Sequence, residues 1–146
     1  MEFYERLEQL AFYVRSKAIY YEIKHYVKRK EPHMRQYFDN GRGIGKTYNL
    51  MKISGKYHIP VLEPSVSKQK QCIIKYEKKF GSVIINPYDI WFLRPGSILL
   101  IDEQSFLPDE VLKKIKKKNL ICIGYTDIPE IDVIKMEKNV MVRKVL

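Results

Sequence analysis

The chain has 146 residues, room for one domain and for no second one of full size. Hydrophobic residues make up 45% and charged ones 30%, a balance that builds a core and excludes intrinsic disorder. Lys and Arg number 27 against 17 Asp and Glu, and the resulting net charge of +10 favours polyanionic partners, nucleic acid first, through counterion release.

No apolar run approaches the roughly 20 residues that a membrane span needs. The opening Met1-Glu2-Phe3-Tyr4-Glu5-Arg6 has neither the basic start nor the apolar stretch of a secretory signal. Cys72 and Cys122 stand far apart inside apolar segments. They are too few for a four-cysteine zinc site and read as free buried thiols of a reducing compartment. The expectation is a cytoplasmic protein with no membrane segment.

Residues 2 to about 30 read as one long helix, because Phe3, Leu7, Leu10, Val14, Ala18 and Tyr21 recur at steps of three and four and so share a face. Glu31-Pro32 closes it, since a residue before proline is pushed out of the helical region. In its second half Lys24, His25, Lys28, Arg29 and Lys30 are interleaved with Tyr20, Tyr21 and Tyr26. Such a mixture holds phosphates and stacks bases, or it is a solvated face whose tyrosines pack inward. Lys24, Lys28, Arg29 and Lys30 are the nucleic-acid-binding candidates.

From residue 36 the pattern becomes strand–helix alternation. Gln36 to Asp39 is a short strand, and a glycine-rich turn leads to a helix from Lys46 to about Ser54. His58 to Leu62 is a second strand, placed at a sheet edge by Pro60. Ser67 caps a helix that runs to Phe80, with Cys72, Ile73 and Tyr76 on one face and Gly81 at its end. Ser82 to Asn86 is a strand. Trp91-Phe92-Leu93-Arg94-Pro95 joins it to the next and reads as core. Ser97 to Ile101 is continuously apolar and therefore central in a parallel sheet. A basic helix from Asp109 to Lys118 turns Val111, Leu112 and Ile115 inward and leaves its lysine run, Lys113 to Lys118, as a solvated face. Leu120 to Tyr125 returns to the sheet, and Val140 to Leu146 adds a last strand. The alternation predicts an α/β sandwich with a mostly parallel sheet.

The most informative stretch is Asn40-Gly41-Arg42-Gly43-Ile44-Gly45-Lys46-Thr47. A phosphate loop of the form G-x-x-x-x-G-K-[ST] uses glycines so that backbone N–H groups can curl around phosphate oxygens. Its lysine reaches the β- and γ-phosphates and its hydroxyl meets magnesium. Gly45-Lys46-Thr47 match, between a strand and a helix. Asn40 stands where the first glycine belongs, and asparagine tolerates the left-handed backbone better than most residues. Further on, Ile98-Leu99-Leu100-Ile101-Asp102-Glu103 is an apolar strand ending in two acids. Asp102 there can join Thr47 at a magnesium ion, and Glu103 can orient and deprotonate a water.

Residues 36 to about 126 resemble the P-loop NTPases, in the RecA-like branch with a catalytic glutamate after the magnesium-binding aspartate. Gly41 to Thr47 resembles the arginine-containing phosphate loop of viral DNA-packaging ATPases and terminases. The resemblance implies a three-layer RecA-like fold, residues 36–146, behind an N-terminal amphipathic and basic helix, residues 1–35. It implies Mg-ATP as the bound nucleotide, Arg42 at the γ-phosphate, and a polar sensor at the end of the strand after Asp102, for which Thr126 is the match. It implies hydrolysis of ATP in a viral or other nucleic-acid process in the cytoplasm, by a homo-oligomer or with a partner protein. Arg94 and Arg143 are then candidates for an arginine offered to a neighbouring subunit. The departures are Asn40, a chain shorter than a packaging ATPase, and no nuclease domain.

Ile101-Asp102-Glu103-Gln104-Ser105-Phe106-Leu107 followed by Gly124-Tyr125 also resembles a segment of the type II thymidine kinases. The zinc module of those proteins cannot be built from Cys72 and Cys122 alone. A third alternative is a nucleotide-binding module without turnover, acting through its basic surface. His25, His33 and His58 show no metal-ligand spacing.

Overall fold

The structure is a computed structural model and describes residues 2–36, 45–62, 70–102 and 107–126. Helix α1, Phe3–Arg29, opens with Glu5 in its first turn, where the carboxylate accepts from the Glu2 backbone N–H at 3.2 Å. It closes at Lys30, left-handed at φ 52°, whose N–H bonds the carbonyls of Tyr26 and Val27.

The face that α1 buries differs from the one its periodicity marks. Phe3, Leu7, Leu10, Val14 and Tyr21 are solvent-exposed, at 68, 45, 57, 57 and 60%. The buried side chains are Ile19, Tyr20, Ile23 and Val27, roughly on the opposite side of the helix. Two apolar stripes coexist on α1, and only the one in its second half has a sheet beneath it. Residues 3–15, about 20 Å of helix, are exposed throughout.

Pro32 is followed directly by strand β1, His33–Gln36, three residues earlier than the periodicity places it. The reason is alternation: Met34 fills one face of the sheet while His33 turns to the other and stacks on Tyr26 of α1, ring centroids 3.7 Å apart. The chain then gives α2 (Lys46–Tyr57), β2 (Pro60–Leu62), α3 (Lys70–Phe80) and β3 (Val83–Ile85). A 3-10 helix (Pro87–Phe92), β4 (Ile98–Ile101), α4 (Asp109–Lys117) and β5 (Ile121–Thr126) complete it.

The five strands among the described residues run parallel, in the order β1-β5-β4-β2-β3. The continuously apolar β4 is the central strand, as its composition requires. β2 is interior and not an edge: it pairs with both β3 and β4. Pro60 is tolerated because it opens the strand, and pairing with β4 begins one residue later, at Val61↔Leu100.

Strand alternation sorts the side chains into two cores. Met34, Leu62, Ile85, Leu99, Ile101 and Cys122 face the 3-10 helix and α4, which contribute Ile90, Val111 and Ile115. Val61, Leu100, Ile123 and Tyr125 face α1 and α2, which contribute Ile19, Ile23, Leu50 and Ile53. The result is helices on both faces of a parallel sheet. No helix among the described residues is long and apolar enough to cross a membrane.

Two connections depart from expectation. Trp91 and Phe92 are exposed, at 66 and 53%, and only Leu93 and Ile90 of that segment enter the core. Lys118 does not share the solvated face of Lys113, Lys114, Lys116 and Lys117. It is half-buried and donates to the carbonyls of Trp91 and Leu93, fastening the 3-10 helix to the end of α4. The expected cap Ser67 and the expected strand from Val140 to Leu146 lie outside the described residues, as do the side chains of Cys72 and Ile73. Gly81 ends α3 as expected, at φ 72°, with its N–H bonded to the Glu77 carbonyl at 2.9 Å.

Candidate functional site

In an open parallel sheet ligands bind beyond the carboxyl ends of the strands. Five of the sequence candidates stand at that edge: Gly45, Lys46, Thr47, Asp102 and Thr126. β4 ends at Ile101, and Asp102 follows it, 6% exposed. β5 ends at Thr126, 3% exposed, and lies between β1 and β4, with Gln36↔Thr126 in register on one side and Ile101↔Gly124 on the other. α2 begins there with Gly45, Lys46 and Thr47.

The decisive contact joins two of them. Thr47 Oγ1 lies 2.9 and 3.1 Å from the two carboxylate oxygens of Asp102, and its hydroxyl donates to that carboxylate. These residues are 55 apart in sequence. Both are hard oxygen donors, and one carboxylate with one hydroxyl is the sparse protein contribution that magnesium takes when waters and phosphates complete its shell. No group of three or more His, Cys, Asp and Glu that could hold a metal occurs among the described residues. Two oxygen donors, with no nitrogen or sulfur beside them in the contact, suit a hard cation such as magnesium.

Gly45 shapes the start of α2. Its φ of 90° belongs to the left-handed region, and a Cβ there would come within 2.8 Å of Ser16 Oγ. Its carbonyl accepts from the Asn49 backbone N–H at 3.0 Å and from Asn49 Nδ2 at 2.8 Å. The same Nδ2 reaches Ser16 O at 2.9 Å and Ser16 Oγ at 3.0 Å. α1 is thus tied to the first turn of α2 by partly buried hydrogen bonds. The residue that caps α2, Gly45, has no side chain, and no acid stands in the first turn, a helix start suited to an anion.

Asn40, Gly41, Arg42, Gly43 and Ile44 of the glycine-rich loop lie outside the described residues, and so do Glu103 and Arg143. The basic candidates are not at this edge. Lys28, Arg29 and Lys30 are exposed at the far end of α1, just before β1 begins, so they stand at the opposite edge of the sheet. From Ser16 to Lys30 is about 20 Å of helix. Arg29 pairs with Glu31 at 3.1 Å. Lys24 lies 5.9 and 5.8 Å from the ring centres of Tyr20 and Tyr21. Of the three interleaved tyrosines, Tyr20 is buried and Tyr26 is stacked on His33, while Tyr21 alone is exposed. Arg94 is exposed and precedes β4, again at the amino edge.

Sequence reading missed Ser16, Asn49, Gly124 and Glu22. An isolated glycine in an apolar strand was a usable signal: a Cβ on Gly124 would overlap the Ile101 carbonyl, immediately before Asp102. Glu22, on α1, accepts from Arg35 Nη1 at 2.6 Å and from Tyr125 OH at 3.0 Å. His33 Nε2, buried, lies 3.5 Å from Glu22 Oε1 and has no hydrogen-bond partner among the described residues. Burial pushes the Glu22 carboxyl up, but His33, the Arg35 guanidinium and the Tyr125 hydroxyl outweigh it and hold the carboxyl below its ordinary value. Burial pushes the Cys122 thiol up to about 12, which removes it as a nucleophile.

Comparison with family models, with curated proteins and with solved structures gave no match to this chain.

Proposed function

We propose that the protein is a RecA-like P-loop NTPase that binds Mg-ATP at the carboxyl edge of its sheet and hydrolyses it. The observation that carries this reading is the Thr47–Asp102 contact beside the left-handed Gly45. A glycine–lysine–threonine turn by chance has no reason to set its hydroxyl on the buried acid of another strand's end.

In this reading Lys46 and the first amides of α2 hold the phosphates, and Thr47 and Asp102 hold magnesium. The ion, when bound, neutralises charge on the phosphates. Thr126, buried at the end of β5 between β1 and β4, would sense the phosphate end. Arg42 would face the γ-phosphate, and Glu103 would take the proton of the attacking water. The net charge of +10 supports nucleic acid as partner, with the exposed Lys28, Arg29 and Lys30 as contacts. Their position at the opposite edge separates that contact from the nucleotide. A homo-oligomer or a partner protein would complete the machine.

The test is thermal melting with and without Mg-ATP, on the parent and on Lys46→Ala, joined to phosphate release with and without single-stranded and duplex nucleic acid. The parent should be stabilised and the variant not. Equal melting shifts in the two would overturn the phosphate-loop assignment.

A further inference from the structure

Between α1 and the first turns of α2 lies a cleft of about 340 Å³. Its floor is the junction of Gly45, Asn49 and Ser16, and its walls are aromatic: Phe12, Tyr13 and Tyr20 from α1, Tyr48 from α2. Lys17 and Lys52 complete the lining. Lys17 Nζ lies 5.6 Å from the Tyr13 ring centre and Lys52 Nζ 4.9 Å from that of Tyr20.

We propose that this cleft receives the base and ribose of the nucleotide whose phosphates sit at the start of α2. The N-terminal helix is then the wall that turns a polyphosphate site into a nucleoside triphosphate site. The inference rests on the phosphate-loop reading and adds to it the site of the base and ribose.

Three observations carry it. The volume falls in the range of pockets for small ligands, and the lining has their character: mostly apolar and aromatic, with a few polar groups. Aromatic rings stack on any base, because every base has a π-face, while the lysine ammonium groups can donate to its oxygen and nitrogen acceptors. Position is the third. Gly45 and Tyr48 both line the cleft and flank Lys46 and Thr47 in sequence, so phosphates held there lie within about one helical turn, roughly 5 Å, of its floor. The hydrogen bonds from Asn49 to Ser16 keep α1 at that distance.

Calorimetric titration of the full chain with Mg-ATP, Mg-GTP and Mg-tripolyphosphate tests the proposal. The better of the two nucleotides should bind at least about tenfold tighter than tripolyphosphate, the size of one stacking contact. The double variant Phe12→Ala/Tyr13→Ala, on the exposed half of α1, should lose most of that excess and keep the tripolyphosphate affinity unchanged. Equal affinity of nucleotides and tripolyphosphate, or an undiminished excess in the double variant, overturns the cleft assignment and leaves the phosphate loop standing. Absence of binding by all three removes the phosphate-loop reading, and this inference with it.

Discussion

Thr47, one residue into α2, donates its hydroxyl to Asp102 at the end of β4, at 2.9 and 3.1 Å from the two carboxylate oxygens. Among the described residues that hydroxyl is the hydrogen-bond partner of an acid only 6% exposed. A carboxylate and a hydroxyl set side by side at the edge of the sheet form a pair of oxygen donors that suits a cation. Asp102→Asn keeps the size and the hydrogen-bonding reach but removes the charge. Nucleotide binding by the parent should strengthen on addition of magnesium, and in Asp102→Asn most of that gain should vanish. Titrations in magnesium and in a chelator measure it; an equal magnesium effect in both proteins would detach Asp102 from the ion.

The scaffold under that pair depends on a close approach elsewhere. Gly55, buried in α2, packs so tightly on α3 that a Cβ would overlap the Phe80 carbonyl. Nearby, Ser82 Oγ donates to Met51 O at 2.6 Å, and Ser54 Oγ donates to Ile59 O at 2.6 Å and accepts from Val83 N at 2.9 Å. Glycine-to-alanine in a helix interior ordinarily stabilises by about 1 kcal/mol. Here the overlap is with backbone fixed by those bonds, and overpacking of this kind costs about 1–3 kcal/mol. Gly55→Ala should therefore lose up to about 2 kcal/mol net in urea unfolding. A gain would mean that α3 can move away.

The Glu22 cluster makes stability depend on pH in a defined direction. Its carboxyl is held below the ordinary value of 4.5, so the folded state favours the ionised form. The contribution is fully present above about 4.5 and is lost as pH falls through the lowered folded value. Glu22→Gln removes the titrating group while keeping its shape. The melting temperature of the variant should lie below that of the parent at pH 7, and the gap should close on acidification below about 4.5. A gap still constant at pH 3 would contradict the assignment.

The legible parts of this fold were those where local pattern and tertiary demand agree. Four apolar residues before Asp102 could only be an interior parallel strand, and Gly45 announced both a turn and a helix start. The face of α1 was not legible, because Phe3-Leu7-Leu10-Val14 and Ile19-Ile23-Val27 are both good helical stripes and only the position of the sheet chooses between them. Pro60 misled because a missing N–H marks an edge strand or a strand's first residue equally well. Residue type alone points Trp91 and Phe92 into the core, yet the 3-10 turn is anchored there by Ile90 and Leu93. The Asn49–Ser16–Gly45 junction joins residues from two helices, and no local pattern encodes it.

The basic end of α1 yields the last prediction. Lys28, Arg29 and Lys30 are exposed together, and the Arg29–Glu31 pair is solvent-screened and worth little. Nucleic acid bound there should displace condensed counterions, so affinity should fall steeply with salt. The triple variant Lys28→Gln/Arg29→Gln/Lys30→Asn removes the charges, and asparagine suits the left-handed backbone at position 30, φ 52°. Fluorescence anisotropy with a labelled single strand at several salt concentrations should show weaker binding. The slope of log K against log salt should be shallower by about 0.7 per lost phosphate contact. Mg-ATP should still raise the melting temperature of the variant, because about 20 Å of helix separates these residues from the start of α2. An unchanged slope would place the nucleic-acid contact on other lysines, such as those of α4. A lost ATP response would mean that the two edges of the sheet are coupled through α1.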